Sequence, residues 1–217
     1  MRITGGMARG TRLLCPTRHH LRPTTDALRQ AIFSALGAAV AGSTFVDLFA
    51  GTGSYGLEAV SRGAALGDFV EISPSAVATI RSNLDQVAKG STIMAAADFS
   101  IHRADALHWC KNFAAIDLFF FDPPYEMLPL PAAPCRKLIN RIAASMHPSA
   151  QLVVEWPHGL DFDPPPPLQI LHTVGRRRGR GSPTAHILGH SSTYHAMPGA
   201  KSIPIMGKDA LRHNSNP

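Results

Sequence analysis

The chain has few of the features that would set an extracellular, membrane or metal-dependent class. Three cysteines in 217 residues, scattered at Cys15, Cys110 and Cys135, offer neither a disulfide framework nor a thiolate cluster, which fits a reducing cytoplasm. No apolar run approaches the roughly 18–20 residues a membrane helix needs, and the N-terminus lacks a secretory pattern, so no membrane association is expected. The late histidines, His186, His190, His195 and His213, lack metal-ligand spacing and company, so no metal is expected. Acids are also scarce: 15 against 21 lysines and arginines give a net charge of +6. A polyanionic partner is the natural complement of such a surface, although a merely basic protein has the same balance.

What is present is organised around Phe45-Val46-Asp47-Leu48-Phe49-Ala50-Gly51-Thr52-Gly53-Ser54-Tyr55-Gly56. A short apolar run ends in an acid, breaks into glycines and resumes with helical spacing at Leu57-Glu58-Ala59-Val60. This reads as a buried strand, a tight turn and a helix start, the opening of a nucleotide-binding α/β unit. Glycine lets backbone approach a ligand closely, and the helix presents free N–H groups and a positive dipole end to the loop.

Ahead of it, residues 1–22 read as a basic hairpin outside the main sheet. Arg2, Arg9, Arg12, Arg18 and Arg22 fall there without an acid. Arginine forks suit RNA phosphates, and a charged edge strand that avoids pairing is the plainer explanation. Thr24 or Thr25 caps a helix over Ala27–Leu36, with Leu28, Ile32 and Leu36 on one face. Arg22, just before it, is a candidate for phosphate or for a ligand carboxylate.

A second strand over Gly67–Ile72 carries Glu71, at the interval where such folds place a ribose-hydroxyl acceptor. A helix spans Ala76–Val87. Residues 88–100 read as loop, and Ile101–Ala106 as a strand ending near Asp105, a candidate acceptor for an adenine amino group or a helix cap. Ile116–Phe121 is a continuous apolar run, as in a strand buried on both faces. Further elements are a helix over Ala133–Met146, strands over Gln151–Glu155 and Leu168–Val174, and an edge strand over Ala185–Leu188. The alternation calls for a doubly wound, mostly parallel α/β sheet. The domain division is therefore a hairpin over 1–22, the α/β domain over 23–190 and a tail over 191–217 expected to be disordered. The Arg176–Arg180 run precedes that tail.

The sharpest chemical signal is Asp122-Pro123-Pro124-Tyr125 at a strand's carboxyl end. Two prolines remove two backbone donors and leave a corner of acceptors, suited to gripping a planar amino group. Tyr125 adds a ring on which a base can stack. Gly51-Thr52-Gly53-Ser54-Tyr55-Gly56 also fits a dinucleotide fingerprint, but Asp-Pro-Pro-Tyr has no role in hydride transfer.

Together, Asp47 through Gly56 and Asp122 through Tyr125 are similar to class I S-adenosylmethionine methyltransferases that act on amino nitrogens. Arg2-Ile3-Thr4-Gly5-Gly6, Arg9-Gly10, Arg22-Pro23-Thr24-Thr25-Asp26 and Leu57 through Ala64 resemble one branch. That branch is the bacterial enzymes that methylate the guanine 2-amino group in small-subunit (16S) ribosomal RNA. The resemblance covers roughly residues 1–155 and implies a seven-stranded Rossmann-like sheet, S-adenosyl-L-methionine as cofactor, and ribosomal RNA or the small ribosomal subunit as partner of a cytoplasmic monomer. It implies that Asp47, Gly51 and Gly53 hold the methionine portion, Glu71 the ribose, and Asp105 with Ala106 the adenine. Asp122 and the Pro123 carbonyl would hold the target amino group, Tyr125 would stack on the base, and Arg2, Arg9, Arg12, Arg22 and Thr24 would face RNA. The alternatives are amino methylation of DNA adenine or protein glutamine, and a catalytically inert RNA-binding relative.

Overall fold

The computed structural model describes residues 1–15, 25–89, 99–128, 134–157, 162–175 and 183–191. Arg18, Arg22, Thr24, the Arg176–Arg180 run, residues 90–98 of the loop expected over 88–100 and the tail beyond Ser191 lie outside the described residues, as does the side chain of Tyr125. The ends of that expected loop are instead helix through Lys89 and strand from Phe99.

Among the described residues, the helices α1 (Asp26–Leu36), α2 (Ser54–Ser61), α3 (Pro74–Lys89) and α4 (Pro134–Ser145) flank one seven-stranded sheet. Its strands are β1 (Thr44–Leu48), β2 (Leu66–Glu71), β3 (Phe99–Arg103), β4 (Leu118–Phe121), β5 (Gln151–Pro157), β6 (Leu168–Val174) and β7 (Pro183–His190). The order is β3-β2-β1-β4-β5-β7-β6, with the first five strands parallel and β7 antiparallel to both its neighbours.

Burial on both faces explains the unbroken apolar runs. Phe45, Phe69, Phe120 and Val153 face α1, α2 and α3 through Ile32, Phe33, Leu57, Val60 and Ile80. Val46, Leu48, Phe119, Phe121 and Val154 face α4 through Leu138, Ile139 and Ile142. Alternate residues of each strand thus enter opposite cores, the signature of a parallel sheet covered on both sides. Gly56 gives α2 its close seat: a Cβ there would lie 2.3 Å from a Phe69 ring carbon.

One expected strand sits elsewhere. The segment over Ala185–Leu188 is not an edge strand; it belongs to β7, inserted between β5 and β6 with Ala185, Ile187 and Leu188 fully buried. The edge on that side is β6, where only Leu168 is buried and the other residues are half-buried or exposed, as suits a strand with one free side. A second difference concerns β3, which ends at Arg103, two residues before Asp105.

Residues 1–13 form a hairpin off the sheet, with an antiparallel bridge between Arg2 and Arg12. Ile3 N–H donates to the Thr11 carbonyl at 3.0 Å and Gly10 N–H to the Ile3 carbonyl at 2.9 Å. The hairpin is fixed to the end of α2: Met7 N–H donates to the Ser61 carbonyl at 2.7 Å, and the Ser61 hydroxyl accepts from Ala8 N–H and donates to the Gly5 carbonyl. A helix's last carbonyls lack partners within the helix, and here the hairpin supplies one.

Candidate functional site

Parallel strands aim their carboxyl ends at one rim, so the order β3-β2-β1-β4 collects the candidate residues from the glycine loop, Glu71, Asp105 and Asp122 along that rim. After β1 the chain turns sharply. Phe49 takes φ +60°, a left-handed conformation uncommon for a bulky residue and characteristic of strained functional loops. Gly53 takes φ +80° and packs so closely that a Cβ would meet Ile80 at 3.3 Å.

Asp47 lies beneath the loop at 2% exposure, and one carboxylate oxygen accepts the Gly56 N–H at 2.9 Å. Burial pushes its carboxyl up to about 8, with repulsion from Glu71 adding to the effect and the Gly56 N–H opposing it. Glu71 is held by two backbone donors, Gly51 N–H on one oxygen and Ser73 N–H on the other, both at 2.8 Å. Each of its oxygens keeps a further acceptor direction, so the carboxylate is oriented without being used up. Beside it Ile72 is 63% exposed, a large apolar side chain standing open on the rim.

Asp105 is past its strand and caps the following turn: its Oδ1 accepts from Leu107 N–H at 2.9 Å, and its Oδ2 lies 2.7 Å from Nδ1 of His108. Partial burial raises its carboxyl, but the Leu107 N–H and His108 outweigh this and hold it below the usual carboxylate range. Of the two explanations offered for Asp105, the structure shows the capping, and the capping leaves acceptor directions open. Ala106 packs into the core against the α4 face, which leaves its backbone rather than its methyl to meet a ligand.

On β4, Phe121 pairs with Leu48 and Val154, so Asp122 continues the sheet beside the start of the glycine loop and beside Glu155. Asp122 is half-buried, Pro123 buried and Pro124 exposed. The Pro124 carbonyl accepts Met127 N–H at 2.9 Å, within a 3-10 turn spanning Tyr125–Met127. That carbonyl is committed to the turn, and the corner's acceptors narrow to Asp122 and the Pro123 carbonyl.

Of the expected RNA-facing residues, Arg2, Arg9 and Arg12 are exposed on the hairpin. Met1, Arg2, Arg12 and Asp26 line a shallow cavity of about 320 Å³ where the hairpin meets α1. Below it a buried ionic cluster ties the hairpin to the helices. Glu58 accepts from Arg29 Nε at 3.3 Å, from Arg62 Nε at 2.9 Å, and from the N–H and hydroxyl of Thr4.

Sequence reasoning missed three further residues around the rim. Tyr55 donates to Glu155 at 2.8 Å, both nearly fully buried, and Asn83 joins residue 14 to the glycine loop. Their signals are an acid inside the apolar run of β5 and an amide on the apolar face of α3. No group of three or more His, Cys, Asp or Glu able to hold a metal occurs among the described residues, nor does any helix long and apolar enough to cross a membrane.

Comparison with known proteins adds the lineage. The model of the family described as "Conserved hypothetical protein 95" matches residues 1–168. The chain is 32% identical over 126 residues to "Ribosomal RNA small subunit methyltransferase D" of Buchnera aphidicola subsp. Acyrthosiphon pisum, covering 57% of this chain and 62% of that protein. The match thus spans somewhat less than two thirds of that relative. A solved structure from Escherichia coli superposes with a TM-score of 0.70 at 23% identity, covering 88% of this chain and 97% of the other. An RNA methyltransferase from Salinibacter ruber in complex with S-adenosyl-L-homocysteine gives a TM-score of 0.55 at 17% identity, covering 76% and 91%. At those identities the two structures establish the fold.

Proposed function

Because the chain belongs to the conserved hypothetical protein 95 family, we propose that it uses S-adenosyl-L-methionine to methylate the 2-amino group of a guanine in small-subunit ribosomal RNA. The observation that carries this reading is the rim itself. A glycine loop over a buried acid, an oriented carboxylate at Glu71 and the Asp122-Pro123 acceptor corner lie at the ends of neighbouring parallel strands. The name of the Buchnera aphidicola relative supports ribosomal RNA as the substrate. A ribosomal substrate in turn makes the cytoplasm the site of action.

The residues fit the cofactor on chemical grounds. Glu71 offers two fixed acceptors to a ribose diol, Ile72 offers an apolar face to a base, and Asp105 offers an acceptor to an exocyclic amine. Gly51 and Gly53 take φ +56° and +80°, backbone that side-chain-bearing residues rarely adopt, and so keep the loop tight above Asp47. When bound, S-adenosylmethionine supplies a methyl group on a positively charged sulfur.

The remaining work belongs to the protein. A guanine amino group donates its lone pair into the ring and is a weak nucleophile while planar. Asp122 and the Pro123 carbonyl accept its two hydrogens and direct them, so the lone pair turns toward the incoming methyl. Alignment of this kind accounts for much of the acceleration in a displacement with a good leaving group. As the nitrogen gains charge Asp122 stabilises it and then accepts the released proton. Tyr125 supplies a stacking surface for the base, and Arg2, Arg9, Arg12, Arg22 and Thr24 contact the RNA backbone.

The test is methyl transfer from labelled S-adenosylmethionine to small ribosomal subunits purified from a strain lacking this protein, with the product nucleosides separated. Labelled 2-methylguanosine is the expected product. Cofactor binding without label in RNA would move the target to DNA adenine or protein glutamine.

A further inference from the structure

We propose that Asn83 is a positioning residue that ties the outgoing arm of the basic hairpin, at Leu14, to the cofactor loop, so that the RNA-facing hairpin and the cofactor loop are held by one shared amide. This rests on the function proposed above. Asn83 sits on α3, fully buried, on a face shared with Ala76, Val77, Thr79, Ile80, Leu84 and Val87. Packing alone would call for another apolar residue there, since burying an amide is unfavourable unless its hydrogen bonds are made.

They are made, and to two separate segments. The Asn83 carbonyl accepts Leu14 N–H at 2.7 Å, and its Nδ2 donates to the Leu14 carbonyl at 3.1 Å and to the Thr52 carbonyl at 3.0 Å. Thr52 lies between the two glycines of the loop, and one turn earlier on α3 Ile80 packs against Gly53. Leu14 cannot anchor the arm by burial, because its side chain is 49% exposed and Cys15 after it is exposed as well. The pair of hydrogen bonds to Asn83 fixes the backbone there. The same arm carries Arg12, and the hairpin also carries Arg9, both exposed. One side chain therefore sets both the height of the glycine loop and the seat of the hairpin that carries these arginines.

The test pairs binding with exchange. Asn83→Leu, similar in volume and unable to hydrogen-bond, is expected to weaken both S-adenosylhomocysteine binding by calorimetry and the KM for small-subunit RNA by about fivefold to tenfold, with kcat within about twofold. Asn83→Asp turns a carboxylate oxygen toward both the Leu14 and the Thr52 carbonyls but keeps the acceptor for Leu14 N–H. The loop thus loses its bond to residue 83 while the hairpin keeps one, and cofactor affinity falls more than RNA affinity. In the unaltered protein, amide exchange at Leu14 is expected to slow when S-adenosylhomocysteine is added. Folded variants that lose only melting temperature, with both affinities unchanged, would reduce Asn83 to a packing residue and overturn the proposal. Unchanged Leu14 exchange on cofactor addition overturns it independently of any variant. If the unaltered protein takes up no S-adenosylhomocysteine, the methyltransferase reading itself fails and this inference with it.

Discussion

The phenol of Tyr55 donates a 2.8 Å hydrogen bond to a carboxylate oxygen of Glu155, joining the first turn of α2 to the end of β5 across β1 and β4. The ring is at the same time stacked on Phe120, with centroids 5.4 Å apart and planes 14° from parallel. Helix, cofactor loop and acceptor corner are thereby tied at a point next to Asp122.

Tyr55→Phe removes the hydroxyl and leaves the stacked ring. Glu155 is 3% exposed, so water does not easily replace the lost donor. The expected cost is roughly 1–3 kcal/mol of folding stability, the penalty for depriving a buried acceptor of its partner. Urea unfolding with an unchanged m-value measures it. A change within the roughly 0.5 kcal/mol usual for surface substitutions would mean the bond contributes little.

Asp47 carries a pH signature. Its carboxyl is pushed by burial to about 8 from a reference of 3.8, so the folded state binds this proton more tightly than the unfolded state. Stability contributed by this site therefore falls as pH rises through the window between those two values. Asp47→Asn keeps an acceptor for Gly56 N–H and cannot ionise. Its melting temperature relative to the unaltered protein should rise from pH 5 to pH 8, while cofactor affinity drops. An equal difference at both pH values would show that Asp47 is not held neutral.

How far these features could be read from sequence depended on how local their cause is. The run Phe45–Leu48 ending in glycines, the apolar stretch before Asp122, and Gln151–Glu155 were legible because a strand buried on both faces writes itself as contiguous apolar residues. The place of β7 was not, since a strand's neighbours are chosen by long-range pairing; nothing in Ala185–Leu188 distinguishes an edge from an interior position. Asp105 was legible as an acid near a strand end, but the two extra residues that put it in a capping turn were not. Least visible were Glu58, Arg29 and Asn83. Charged and amide side chains on helices normally belong to solvent, and only the docked hairpin turns these inward.

Glu58 tests that last point. Its carboxylate is buried against the equally buried Arg29 and also holds Arg62 and Thr4. Glu58→Ala opens a cavity beside the Arg29 guanidinium, which keeps Asp26 as a partner. Breaking a buried pair costs about 3–5 kcal/mol when the charge left behind is uncompensated, so the expected cost lies at the low end, about 3 kcal/mol. Chemical denaturation is the readout. A cost below about 1 kcal/mol would place the pair among ion pairs that water screens.

Asp122→Ala separates chemistry from binding. The side chain belongs to the corner proposed for the target, just after β4, while the groups proposed for the cofactor belong to β1, β2 and the loops after β1, β2 and β3. Methyl transfer should fall by about 10²-fold or more, the usual scale for removing a general base, with S-adenosylhomocysteine affinity unchanged by calorimetry. Loss of that affinity instead would reassign Asp122 to the cofactor.

The hairpin arginines make the salt dependence the diagnostic. Arg9 and Arg12 are exposed, and the hairpin's attachment to α2 runs through Thr4, Gly5, Met7 and Ala8 rather than through these side chains. Replacing both by Ala should therefore leave melting temperature unchanged. Each cation that neutralises a phosphate contributes roughly 0.7–0.9 to the slope of log K against log salt. The double variant should thus bind RNA more weakly at low salt and show a slope shallower by about 1.5. Convergence of the two proteins at high salt would follow from the same counterion release. Parallel lines, with affinity reduced equally at every salt concentration, would mean the arginines shape the hairpin and do not touch phosphate, returning the basic edge to its plainer role of keeping other strands away.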